Sequence, residues 1–194
     1  KFETDIEKVK EFYMNNGWLD VDIGWEIAYS DDRKMYITGH IKEGEWYYVE
    51  SLKIDGTSLF TVDELKEKLK LQEGGPFFLD AVEKDTYQLR LSYGEQGYIT
   101  ALVKEKHTFG AEGAKVNVSF SVEEKDRHYI EKVKIVGNDK TRDNVIRRQL
   151  TFYPGEKLDT EKIRDSQRRL SNTGYFDMES GMPAGINFEQ GSTA

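Results

Sequence analysis

The chain has 194 residues, of which 33% are charged, 37% are hydrophobic and none is cysteine; this length suits one or two domains with real cores, and the missing thiol removes disulfides, thiolate catalysis and cysteine-ligated metal. A net charge of −8 argues against broad nucleic-acid binding, which depends on Lys and Arg neutralising phosphates. No apolar run approaches the ~20 residues of a bilayer-spanning helix, and the charged stretch after Lys1 holds no apolar signal-peptide core.

In chain order, the first expected element is a helix. Thr4-Asp5-Ile6-Glu7 has capping-box spacing, Val9 and Tyr13 mark an inward stripe, and Gly17-Trp18 ends it. Glycine suits that place because helices often stop on a left-handed residue that glycine adopts without a Cβ penalty. The period then changes to alternation in Trp18 to Ile23, and again in Ile37, Gly39 and Ile41 after the polar turn Ser30-Asp31-Asp32-Arg33. Both runs predict strands.

Tyr48 to Gly56 reads as a further strand, with Leu52 and Ile54 on one side and Lys53 on the other. Thr61-Val62-Asp63-Glu64 is another capping box; it opens a helix with Leu65 and Leu69 on one face, closed by the turn Gly74-Gly75-Pro76. A second helix, with Asp80 as its expected N-cap and Leu89 and Tyr93 inward, stops at Gly97-Tyr98. Strands are expected at Tyr98 to Val103 and through Val116, Val118, Phe120 and Val122, separated by the Gly110 to Gly113 turn.

The pattern then starts again. Tyr129 to Gly137 repeats Tyr48 to Gly56 at an offset of 81 residues, and Ile146 and Leu150 repeat Leu65 and Leu69 in a segment that Thr141 begins. Pro154-Gly155 supplies the turn, Asp159 the N-cap, and Leu170 and Gly174-Tyr175 the end of the second helix. The unit is strand-helix-helix-strand-strand, an α+β fold. Residues 1–45 hold its second helix and last two strands, 46–125 a complete unit, and 126–194 a unit lacking its last strand. Shifting Phe120 by the glycine spacing of 77 gives position 197, beyond Ala194, so the chain reads as part of a longer array, with Gly191 to Ala194 as an unstructured stub. The short joins at Gly44-Glu45 and Lys125-Asp126 are the expected hinges.

Nothing in the pattern points to catalysis. His40, His107 and His128 fall in or beside strands of different units, without metal-ligand spacing. Asp31-Asp32 and Gly137-Asn138-Asp139 fit turn chemistry rather than a calcium loop, and Gly74-Gly75 lacks the rest of a phosphate loop. No catalytic, cofactor-binding or metal residue is assigned. Trp18, Tyr98 and Tyr175 read as anchors between helix and sheet. Residues 126 to 170 hold 12 Lys and Arg against 8 Asp and Glu, a solvated basic face or a docking surface.

Two landmarks carry a family likeness: Tyr48 to Gly56 with its repeat, and a glycine followed by an aromatic residue after each second helix. Together they resemble POTRA (polypeptide-transport-associated) domains. Ile135-Val136-Gly137-Asn138, Val145-Ile146-Arg147-Arg148, Gly155 and Gly174-Tyr175-Phe176 are similar to the last such domain of the outer-membrane β-barrel assembly family, BamA. The chain would then span the end of a third POTRA, all of a fourth and most of a fifth, each a three-stranded mixed sheet packed against two helices. The resemblance implies a non-enzymatic periplasmic scaffold, continuous with a membrane β-barrel, that binds unfolded outer-membrane proteins and accessory lipoproteins. A related two-partner secretion or import transporter is the alternative. The family's sheet order implies an edge strand at Leu19 to Ala28, Ile99 to Lys106 and Phe176 to Ser180. Exposed edges accept incoming strands through backbone hydrogen bonds, so Ile99, Thr100, Ala101, Leu102, Val103 and Lys104 are the candidate client site. Arg147, Arg148 and Gln149 are the candidate docking residues; Gln149 stands where relatives often carry an acidic residue.

Overall fold

The computed structural model describes residues 2–30, 34–110, 113–174, 186–189 and 191. It divides into two compact units, residues 1–88 with 103–122 and residues 89–102 with 123–194.

The first unit opens with α1 (Phe2–Met14). Thr4 lies inside this helix, so the expected capping box at Thr4 does not begin it. Val9 is 40% exposed rather than inward, whereas Tyr13 is half-buried and packs edge-on against Trp18, with ring centroids 5.9 Å apart. A hairpin of β1 (Asp22–Tyr29) and β2 (Met35–Lys42) follows. Its register sets Ile23, Trp25, Ile27 and Tyr29 opposite Ile41, Gly39, Ile37 and Met35. Residues directly opposite share a face, so one side is wholly apolar while Asp22, Glu26, His40 and Lys42 lie on the other.

The complete strand-helix-helix-strand-strand repeat is built from β3 (Tyr48–Asp55), α2 (Val62–Lys66), α3 (Leu79–Glu95), β4 (Leu102–Phe109) and β5 (Lys115–Glu123). Its sheet has the order β3-β5-β4, with β3 parallel to the central β5. Val116, Val118, Phe120 and Val122 all point into the core, as their alternation predicts, and Leu65, Leu69, Leu71 and Phe77 are buried on the helical side. The capping box at Thr61 forms as read: its hydroxyl accepts from Glu64 N–H (3.3 Å) and Glu64 Oε2 accepts from Thr61 N–H (2.8 Å). Those bonds from Thr61 hold the Glu64 carboxyl below its usual range. Asp80, expected as an N-cap, instead lies within the first turn of α3 and pairs with Lys84.

In the second unit, α4 (Asp143–Arg147) and α5 (Thr160–Asn172) repeat the two helices. Asp159 caps α5, accepting from Glu161 and Lys162 N–H (2.9 and 3.2 Å), and Arg142 rather than Thr141 occupies the N-cap of α4. Ile146, Leu150, Phe152, Ile163 and Leu170 form the core. The expected strand at Tyr129 to Val136 is reduced to one bridge, Tyr129 to Lys157, because a strand is defined by its ladder and no strand among the described residues pairs with it. Glu131 is nonetheless in contact elsewhere, and the run keeps the backbone ties of β3. Ile130 N–H donates to Glu156 C=O and Gly155 N–H to Ile130 C=O, as Val49 N–H does to Gly75 and Gly74 N–H to Val49.

One buried tie differs between the repeats. Asp85, 1% exposed, accepts from Lys70 N–H (2.7 Å) and Leu71 N–H (2.9 Å), stapling α3 to the end of the α2 loop. Its counterpart 81 residues on is Ser166, which accepts from Thr151 N–H at 2.9 Å. Burial pushes the Asp85 carboxyl above its ordinary value, against the pull of the two N–H donors. The folded state therefore holds this proton more tightly than the unfolded chain. Its stabilising contribution is fully present below the unfolded value of about pH 4 and is lost as pH rises through the raised folded value. Asp85→Asn, which cannot titrate, should gain stability relative to wild type as pH rises from about 4 towards neutrality, on top of a pH-independent loss from the N–H left without an acceptor. Urea midpoints of both proteins across that range measure the slope.

Candidate functional site

The joint that leads into β4 is set by a glycine. Gly97 ends α3 at φ +96°, and a Cβ there would lie 3.1 Å from His128 O and 3.0 Å from the Arg127 side chain. His128 N–H donates to Gly97 C=O at 2.8 Å and Leu158 N–H to His128 C=O at 2.9 Å. Gly17, Tyr47 and Phe77 form the same clasp one repeat earlier, at 2.8 and 3.0 Å. Lys125, at the second suspected hinge, has φ 59°, but the residues after it are tied, with Arg127 Nε–H donating to Gln96 C=O at 2.9 Å.

Ile99, Thr100 and Ala101 lie before the strand, where Ala101 N–H closes a turn onto Tyr98 C=O (3.1 Å). Of the candidate edge residues only Leu102, Val103 and Lys104 belong to β4, which runs on to Phe109. The alternating apolar residues after Gly97 mimic a strand, yet the chain needs them to turn away from the helix. β4 is an outer strand of the sheet, and no strand among the described residues pairs with its far side. Val103 is buried and Leu102 is exposed; Lys104, Glu105 and Lys106 are exposed charges of the kind that deter edge-to-edge aggregation. The corresponding expectation at Phe176 to Ser180 lies outside the described residues, and that at Leu19 to Ala28 begins only at Asp22.

At the far end of β4 is a hollow of about 330 Å³, lined by Met14, Leu19, Tyr47, Leu79, His107 and Phe109. The Phe109 ring stands edge-on to those of Tyr47 and His107, with centroids 5.9 Å away in each case. Tyr47 is fixed by donating its hydroxyl to Asp20 at 2.7 Å, a bond that pushes its phenol pKa up. Asp20 also lines this ring-rich hollow, so its wall combines aromatic rings with a carboxylate. The sequence pattern signals half of it, since His107 and Phe109 continue the alternation from Val103; the Tyr47 and Leu19 contribution depends on the clasp.

The docking candidates do not act as one group. Arg147 Nε is 2.6 Å from Asp143 and its Nη2 donates to Val133 C=O at 3.4 Å, so it braces α4. Gln149 is half-buried, leaving Arg148, exposed at the C-cap of α4, to face solvent. Among the described residues no group of three or more His, Asp or Glu is placed to hold a metal.

The POTRA sequence family, described as a surface antigen variable number repeat, matches residues 47–125 and 128–183. The chain belongs to the POTRA family. Two curated relatives of these POTRA repeats are "Outer membrane protein assembly factor BamA" of Nitratidesulfovibrio vulgaris, 28% identical over 90% of this chain and 22% of that protein, and its namesake in Neisseria meningitidis serogroup B, 30% identical over 91% and 23%. The chain thus spans about a fifth of the length of the relatives it matches. The crystal structure of Haemophilus influenzae BamA POTRA3-5 has the same fold, with a TM-score of 0.65 and 23% identity over 91% of this chain and 70% of that one. The mixed three-stranded sheet with two helices is the POTRA architecture expected from the sequence.

Proposed function

We propose that these repeats form the periplasmic, strand-accepting part of an outer-membrane β-barrel assembly protein, in which the outer side of β4 receives unfolded barrel segments. The observation that carries this reading is the position of β4 at the edge of its sheet. Capture through backbone N–H and C=O groups makes no demand on client sequence, which fits a carrier of many barrel proteins. The names of the relatives, outer membrane protein assembly factors, point the same way. Exposed Arg148 on α4 is the proposed contact for an accessory lipoprotein, with Arg147 and Gln149 shaping its helix, and a membrane β-barrel is the proposed neighbour in the full protein.

Each backbone hydrogen bond nets only about 0.5–1.5 kcal/mol, and ordering a flexible peptide offsets much of that. Binding of an extended barrel-strand peptide should therefore be weak, with a dissociation constant on the order of 1 mM or somewhat tighter. The test compares such a peptide with one N-methylated at alternate residues, using fluorescence anisotropy. Methylation on the edge that faces β4 should abolish binding, and methylation on the opposite edge should not. Equal binding by all three peptides would rule out strand capture.

A further inference from the structure

We infer that Glu73 closes the outer edge of β3 and so confines incoming strands to β4. The inference rests on the reading of β4 as the strand-accepting edge and names the residue that sets which edge is used. The order β3-β5-β4 leaves the sheet two edges, and capture through backbone groups does not by itself tell them apart. Along β3 the outward groups are tied to the chain that returns from α2. Tyr47 C=O accepts from Phe77 N–H (3.0 Å), Val49 N–H donates to Gly75 C=O (2.9 Å), and Val49 C=O accepts from Gly74 N–H (2.8 Å). The register then shifts between Val49 and Ser51, and Leu52 N–H is met by a side chain instead, donating to Glu73 Oε1 at 2.9 Å. The same oxygen accepts from Nζ of Lys66, the last residue of α2, also at 2.9 Å. Lys66 and then Leu52 N–H hold the Glu73 carboxyl below its usual range, so the plug is a charged acceptor, the stronger kind.

The second repeat covers the same place with different chemistry. Its ties at His128 and Ile130 match those at Tyr47 and Val49, 81 positions earlier. Pro154 stands at the position of Glu73 and offers no side-chain acceptor. The counterpart of Lys66, Arg147, reaches across in its place, with Nη2 donating to the carbonyl of Val133, the counterpart of Leu52, at 3.4 Å. A strand residue's N–H and C=O point to the same side. A carboxylate in one repeat and a guanidinium in the other therefore occupy the same stretch of the same edge, which is the pattern of an edge kept shut rather than of one fortuitous contact.

The experiment uses the whole chain, ¹⁵N-labelled, and a nitroxide-bearing synthetic peptide with the sequence of Lys115 to Glu123, whose alternating residues suit an added strand. In wild type, amide broadening should run along Leu102 to Phe109 and spare Leu52 to Asp55. Glu73→Ala should add a second broadened stretch at Leu52 to Asp55 and speed Leu52 amide exchange roughly tenfold. Glu73→Ser, with a side chain too short to reach Leu52, should behave alike, whereas Glu73→Gln, whose amide oxygen still accepts, should stay near wild type in both readouts. A role in stability alone would lower the unfolding midpoint without opening a second site. Broadening at Leu52 to Asp55 in wild type, its absence from both Glu73→Ala and Glu73→Ser, or equal broadening there in Glu73→Gln would overturn the inference. Broadening at β3 in Glu73→Ala with none at β4 in any protein would support closure of β3 by Glu73 and count instead against strand capture at β4.

Discussion

Phe120→Ala is expected to destabilise the complete repeat by about 3–5 kcal/mol, the range for removing a buried aromatic ring from a core that relaxes only partly. Phe120 is fully buried on the central strand, paired in register with Ile54 of β3. A repeat of this size has roughly 0.05–0.15 kcal/mol of stability per residue, so the loss is a large part of the whole. Phe109→Ala removes the same atoms at a position 57% exposed, and should change stability by no more than about 0.5–1 kcal/mol. Urea unfolding followed by amide signals of β5 measures both.

Gly56→Ala carries the second large effect. At φ +82° its Cβ would stand 2.1 Å from Val122 O. The obstructing atom is backbone, so no side-chain rotation relieves it. Left-handed strain of about 1–2 kcal/mol adds to overpacking of about 1–3 kcal/mol, and β3 must part from β5 at its end. Gly74→Ala is the control, with φ +77° and nothing within 4 Å of the added carbon; it should show the strain alone. Amide exchange at Ile54 and Val122 should rise for both variants, and clearly more for Gly56→Ala than for Gly74→Ala, whose increase reflects the strain alone.

The repeat was legible in the sequence because its signals are local. Thr61 and Glu64 lie within one helical turn, and the turn glycines need only their own backbone, so spacing alone reveals them. Alternation placed β5 for the same reason. The errors arise where a residue's role depends on something distant. Tyr129 to Val136 has the same pattern as β3, but a strand also needs a neighbour. Ile99 to Ala101 are apolar and alternating, yet the clasp at Gly97 uses them as a turn. Thr4 and Asp80 carry cap chemistry inside their helices, since α1 and α3 begin earlier than the side chains suggest. Asp85 and Ser166 fall at the same 81-residue offset, but an acid and a hydroxyl look unrelated, and only the backbone N–H groups they accept from show that they perform one task. The hollow beside β4 joins residues from Leu19 to Phe109 that only the folded chain brings together.

Strand capture at β4 is tested most directly by backbone NMR of the ¹⁵N-labelled chain titrated with an extended peptide from an outer-membrane barrel strand. The account predicts shifts running along Leu102 to Phe109, strongest at alternate amides where N–H groups face outward, and reaching the Tyr47 ring at the far end. Shifts confined to the surroundings of Arg147, Arg148 and Gln149, or none at any concentration, would contradict it and leave these repeats as a spacer that docks folded partners.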